Sequence, residues 1–158
     1  HVEMGPVISE AQRERVLGFV DRAAASGARV LTGGNAGRGP GFFVEPTVIT
    51  DVGQTDEIVQ REVFGPVVTV QRATSDAEAV TLANDIAYGL ASSVWTNDVR
   101  KALNIARDLE YGTVWINDHL PMASEMPAGG YKESGYGKDM GVQALEAYTQ
   151  VKHVMAKL

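Results

Sequence analysis

The sequence predicts an α/β fold with a mostly parallel βαβ sheet covered by helices, and three observations carry that reading. Segments with helical spacing alternate with short strand-forming runs, and two of the helices open on Ser-x-x-Gln/Glu, at Ser9 and Ser75. The runs "VVTV" (67–70) and "SSVW" (92–95) do not alternate polar with apolar, as is usual in strands covered on both faces. From residue 67 to 117 the order reads strand, capped helix, strand, capped helix, strand. That order calls for parallel pairing and right-handed crossovers.

The elements follow in order. Ser9-Glu10-Ala11-Gln12 opens a helix whose inner face holds Val16, Val20, Ala23 and Ala24, and Gly27 stops it. Residues 29–32 are a short strand, and the glycine-rich stretch 33–41 is a loop. Residues 42–49 are extended, and Pro46 marks them as an edge or irregular strand. Residues 56–61 form a short helix, and 67–71 form a strand expected to be fully buried. Ser75-Asp76-Ala77-Glu78 caps a helix running to about residue 86, with Ala79, Val80, Ala83 and Ile86 apolar. Residues 88–90 are a break and 91–96 a strand. Asn97-Asp98 caps a third helix with an apolar stripe of Val99, Ala102, Leu103, Ala106 and Leu109. Gly112 ends it, and 113–117 are a strand.

Residues 118–139 break the rhythm. They have no period and contain Pro121, Pro127, Gly129, Gly130, Gly135 and Gly137, and so long a loop in a compact domain is usually functional or an interface. Residues 140–148 read as a helix. Residues 149–158 read as a terminal strand with apolar residues on both faces and no partner in the βαβ pattern, which directs it to a sheet elsewhere, in this chain or in another subunit.

Composition excludes several functions. A chain of 158 residues with 44% hydrophobic and 22% charged residues is globular. A net charge of −6, with basic residues scattered, argues against nucleic acid as a partner. With no cysteine, the chain has no disulfide, thiolate metal site or Cys nucleophile of its own. No apolar run is long enough for a membrane span and no secretory leader is visible, so a cytoplasmic location is expected. His1 is read either as a tag remnant or as a native residue. His1, His119 and His153 are dispersed, so no metal site is indicated.

Two glycine motifs fail their context tests. "GYGKDMG" (Gly135, Gly137, Gly141) imitates a dinucleotide fingerprint, but a polar loop precedes it where a strand is required. "GYKESGYGK" imitates a phosphate-binding loop, yet Gly137-Lys138 is not followed by Ser or Thr. The stretch "EVFGPVVTV" (62–70) is more specific. Glu62 and Phe64 flank Val63 directly before a strand. A carboxylate can accept two hydrogen bonds from a ribose diol, and a neighbouring ring can pack on a planar heterocycle. The same residues also suit a capping carboxylate and a core phenylalanine.

The blocks "GPVISEAQRERV", "GFFVEPTVI", "EIVQREVFGPVVTV", "ANDIAYGLASSVWTND", "GTVWIND" and "GGYKESGYGKDMG" follow one another, over nearly the whole chain, as in the aldehyde dehydrogenase superfamily. The ending "YGKDMG…LEAYTQVKHVMAKL" looks most like γ-aminobutyraldehyde (ω-aminoaldehyde) dehydrogenases, with betaine-aldehyde and phenylacetaldehyde enzymes as near neighbours. The resemblance implies the following. The chain is the C-terminal portion of a longer oxidoreductase, whose nucleophilic cysteine, general-base glutamate and Rossmann half lie upstream. Residues 1–139 belong to the catalytic domain, and 140–158 form a C-terminal helix and oligomerisation strand. No catalytic residue falls in this chain. Glu62 would bind the nicotinamide ribose of NAD (or NADP), and Phe64 would pack by the nicotinamide. Asn117, His119 and Met126 would line the aldehyde pocket. The enzyme would turn an aldehyde into an acid through attack by a cysteine thiolate. It would be a homo-oligomer, dimer or tetramer. The chain alone would neither bind the cofactor nor turn over. The alternative is a non-catalytic module that oligomerises or binds a partner.

Overall fold

The structure is a computed structural model, and it describes residues 4–158. The reading of His1 lies outside the described residues. Two compact units divide the chain after Ala73.

The first unit runs through helix α1 (Glu10–Ala25), strands β1 (Arg29–Thr32) and β2 (Thr47–Thr50), helix α2 (Glu57–Gln60) and strand β3 (Val67–Thr69). Extended Ser9 caps α1, its hydroxyl accepting from Gln12 N–H at 3.2 Å. Gln12 does not complete the box by reaching back to Ser9; its amide is used elsewhere. At the other end Ala28 N–H donates to Ala23 C=O and Gly27 N–H to Ala24 C=O, with Gly27 at φ 103°, closing a Schellman motif as the sequence predicts.

In the sheet, β2 lies between antiparallel β1 and parallel β3. This corrects the edge-strand reading of Pro46. The ladder begins at Thr47, paired with Val67, so the proline precedes it and its missing N–H removes no rung. The core is Phe19, Val20 and Ala23 of α1, Ile49 of β2 and Ile58 of α2, with Val16 also fully buried. The predicted stripe missed Phe19, and Ala24 is exposed because it is one helical step off the inner face. β3 is not fully buried either. Val68 is 53% exposed, since β3 is an edge strand with an uncovered face in this unit.

The second unit holds α3 (Asp76–Asn84), β4 (Tyr88–Gly89), β5 (Ala91–Val94), α4 (Val99–Asp108), β6 (Thr113–Ile116), β7 (Tyr131–Lys132) and α5 (Gly141–Ala147). Ser75 caps α3 by accepting from Glu78 N–H at 3.1 Å. The Glu78 carboxylate accepts from the hydroxyl and N–H of Thr74 rather than from Ser75, and those bonds hold it below the usual carboxylate range. Asp98 caps α4 by accepting from Arg100 and Lys101 N–H at 2.9 and 3.1 Å. Strand β5, helix α4 and strand β6 form a parallel βαβ unit, in register from Ala91↔Thr113 to Val94↔Ile116. The α/β class is thus present, with its strands distributed over three sheets, two of them containing a parallel pair.

Three local expectations change here. Residues 88–90, read as a break, contain β4, which pairs antiparallel with β7 inside the stretch read as a loop. Two-residue strands are too short to show a period. On α4 the buried arc is Ala102 and Leu109, with Ile105 and Ala106 half-buried, while Val99 and Leu103 face solvent. Residues 149–158 form no strand among the described residues, because a strand needs a ladder partner and none is paired with them in this chain. Val151, Val154 and Met155 are exposed there. Among the described residues no helix is long and apolar enough to cross a membrane.

One pH dependence follows from the second unit. Half-buried Tyr111 donates from its hydroxyl to Ala83 C=O at 2.5 Å, and burial, aided by the Glu110 charge, raises its pKa above the ordinary tyrosine value. Its contribution to stability is therefore complete below about pH 10 and is lost as pH rises through the folded value. Thermal midpoints of the wild type and Tyr111→Phe are expected to differ at neutral pH and to converge at alkaline pH.

Candidate functional site

Segment 62–66 connects α2 to β3 in the first unit. Phe64 sits at φ 58°, in the left-handed region, which costs a non-glycine residue about 1–2 kcal/mol. Its ring is 76% exposed. A core phenylalanine is therefore not what this residue is. The Glu62 carboxylate is exposed and makes no hydrogen bond or ion pair among the described residues, so it is not a capping group. Strained backbone that holds an uncommitted acid and an uncovered ring is a configuration found at binding sites. It leaves two acceptor oxygens and one aromatic face available to a ligand.

The segment is fixed from beneath by α1. Gly65 lies against the helix so closely that a Cβ there would stand 2.6 Å from a Val16 methyl. Arg15 donates from Nη2 to Glu62 C=O at 2.7 Å and from Nη1 to Val63 C=O at 2.6 Å. Gln12 Nε2 donates to Phe64 C=O at 2.9 Å and to Val63 C=O at 3.3 Å. On the far side, Pro66 C=O accepts from Thr47 N–H at 2.8 Å and so ties the segment to β2.

In the second unit, Asn117, His119 and Met126 lie beyond the end of β6. Asn117 has φ 55° and its side-chain amide pairs with Thr96: Oδ1 accepts from Thr96 N–H and Nδ2 donates to Thr96 C=O, both at 2.8 Å. The amide thus adds one rung to the β5–β6 ladder, after Asn117 N–H has bonded Val94 C=O. The chain then turns back, and His119 Nδ1 lies 2.6 Å from Ser93 Oγ on β5. The imidazole packs edge-on against Trp115, with ring centres 5.1 Å apart. Trp115 Nε1 in turn donates to Pro121 C=O at 2.9 Å and holds the loop down. Asn117 and His119 are brought together on this β5–β6 end. Met126 is 64% exposed, in a turn closed by its N–H to Ala123 C=O. Sequence reasoning missed Ser93, Trp115, Gln12 and Arg15. The one local signal was Gln12 and Arg15 three residues apart on one helix face, beside buried Val16.

With this geometry in view, comparison with known proteins defines the class. The aldehyde dehydrogenase family pattern matches residues 1–154. A betaine aldehyde dehydrogenase of Bacillus subtilis is 46% identical over 156 residues, covering 96% of this chain and 32% of that protein. A peroxisomal aminoaldehyde dehydrogenase of Pisum sativum is 44% identical, covering 96% of this chain and 30% of that protein. Among solved structures, a point mutant of betaine aldehyde dehydrogenase from Staphylococcus aureus in complex with NAD+ superposes with a TM-score of 0.94 at 46% identity, covering 97% of this chain and 32% of that one. The chain belongs to the aldehyde dehydrogenase family. It spans about a third of the length of the curated relatives it matches.

Proposed function

We propose that this chain is the C-terminal portion of an NAD(P)-dependent aldehyde dehydrogenase that oxidises γ-aminobutyraldehyde or a related aminoaldehyde to its acid. The observation that carries the reading is the posture of Glu62 and Phe64: an unpaired carboxylate and an exposed ring held on strained backbone. They fit the nicotinamide ribose end of NAD, the diol on Glu62 and the planar ring on Phe64. NAD, when bound, supplies the hydride acceptor. What this chain does is orient that end, an effect worth several kcal/mol of barrier when alignment is good, roughly as effective-molarity arguments give. Solved relatives in complex with NAD+ support the cofactor class.

The loop carrying Asn117, His119 and Met126 is assigned to the aldehyde pocket. Residues 117–131 hold two carboxylates, Asp118 and Glu125, and no Lys or Arg, a balance that suits a cationic aldehyde. Aminoaldehyde and betaine aldehyde relatives support that class of substrate, and betaine aldehyde and phenylacetaldehyde are the alternatives. Residues 1–139 are assigned to the catalytic domain and 140–158 to the oligomerisation element, and the working location is the cytoplasm.

The test is direct. With no cysteine in the chain, the purified 158-residue protein given NAD and 4-aminobutanal is expected to form no NADH. It is also expected to give no calorimetric isotherm with NAD alone. Turnover would defeat the reading that nucleophile and base lie elsewhere. The exposed apolar residues Val151, Val154 and Met155 favour a second reading, a non-catalytic module that pairs with another copy. Light scattering that shows a dimer lost on deleting residues 149–158 would support that role for the tail.

A further inference from the structure

We propose that Arg15, assisted by Gln12, is a positioning residue for the coenzyme contact pair Glu62 and Phe64. The inference rests on the reading above that this pair meets the nicotinamide end.

The geometry is that of a clamp on three successive peptide groups. The carbonyls of Glu62, Val63 and Phe64 each accept from a side chain of α1, through four hydrogen bonds of 2.6 to 3.3 Å. A peptide group is planar, so anchoring its carbonyl restrains the orientation of the whole plane. Val63 lies between the first and second pinned planes, and Phe64 between the second and third. Anchoring all three narrows φ and ψ at both residues and thereby restrains the direction of the Phe64 side chain. It also sets the plane that follows Glu62. The left-handed φ of 58° at Phe64 is thus held by bonds from α1 rather than by the residue's own preference.

The guanidinium suits this task. Its fork offers two parallel donors to neighbouring carbonyls, which an ammonium cannot do. It also leans on the core, since Arg15 Cζ lies 4.9 Å from the centre of the Phe19 ring, and Phe19 belongs to the buried core. A path therefore runs from the core through Phe19 and Arg15 to the peptide planes that flank the ring and follow the acid. Arg15 and Glu62 are exposed and Val63 is half-buried, so the bonds add little to global stability. Their effect is on local posture.

The test separates aiming from simple packing. In the 158-residue chain, Arg15→Met is expected to shift the NMR signals of Val63 and Phe64 and to speed amide exchange over residues 63–65, with the thermal midpoint nearly unchanged. In the longer dehydrogenase that carries this segment, Arg15→Met is expected to raise KM for NAD by about ten-fold, through weaker binding of the coenzyme. KM for the aldehyde should stay constant, and Arg15→Lys, which keeps the charge on a single donor nitrogen without the fork, should fall between. Unchanged KM for NAD in Arg15→Met, where Glu62→Gln and Phe64→Ala each raise it, would overturn the positioning role alone. An unchanged KM for NAD in all three variants would overturn the contact pair as well. Equal rises in both KM values with a lowered midpoint would mean that Arg15 only holds the fold, and would also overturn the proposal.

Discussion

Replacing Gly112 with alanine is expected to destabilise the second unit by more than about 3 kcal/mol, above the usual range for an overpacked side chain. A Cβ at this position would stand 1.5 Å from the carbonyl oxygen of Gly129, 2.6 Å from its carbonyl carbon and 3.2 Å from Gly130 Cα. These are backbone atoms, and no rotamer change moves them aside. Gly112 cannot retreat either, since its N–H is bonded to Gly89 C=O at 3.0 Å, next to the β4–β7 ladder. Either the start of β6 or the Gly129-Gly130 turn must give way. Gly135→Ala is the control. Gly135 has φ 103° but open space around it, so its substitution should cost only the backbone term, about 1–2 kcal/mol. Thermal melting followed by circular dichroism should rank the two variants in that order, and a Gly112→Ala midpoint equal to that of Gly135→Ala would contradict the crowding argument.

Truncating Ile49 to alanine should remove about 3–5 kcal/mol from the first unit, the range seen where a fully buried branched side chain leaves a cavity that cannot collapse. Ile49 is 0% exposed and sits mid-strand in the central strand β2, opposite Val30 and Thr69. Phe19, Val20 and Ala23 of α1 and Ile58 of α2 complete its surroundings. Because β2 is bonded on both sides, it cannot slide inward to fill the space. Ile49→Val, which removes a single methyl, should cost about 0.5–1.5 kcal/mol. Urea unfolding monitored by circular dichroism would read both, and an alanine variant no weaker than the valine one would show that the core repacks.

Features set by local chemistry were legible in the sequence. Ser9, Ser75 and Asp98 cap their helices as their residue types require, and Gly27 stops α1, because these bonds span only a few residues. Features set by distant partners were not. Pro46 looked like an edge marker, but strand order depends on what lies on each side of β2. Tyr131 and Lys132 form a strand only because Tyr88 and Gly89 lie opposite them. Val99 and Leu103 share the helical spacing of a core stripe, yet which arc of α4 is covered depends on the neighbouring elements. The site divided the same way. Glu62 and Phe64 could be picked out as residue types suited to a ribose and a heterocycle. That Phe64 would be left-handed, and that Gln12 and Arg15 would hold its peptide planes from 47 to 52 positions away, was not readable from the stretch itself.

Asn117 ends its strand with a side chain in place of a backbone rung, and that substitution has a consequence for change over generations. A border sealed by one amide keeps whatever happens downstream from fraying the ladder upstream. Residues beyond it can be lengthened, shortened or rewritten while β5 and β6 remain in step. Losing the amide itself would let each such revision spread into the scaffold.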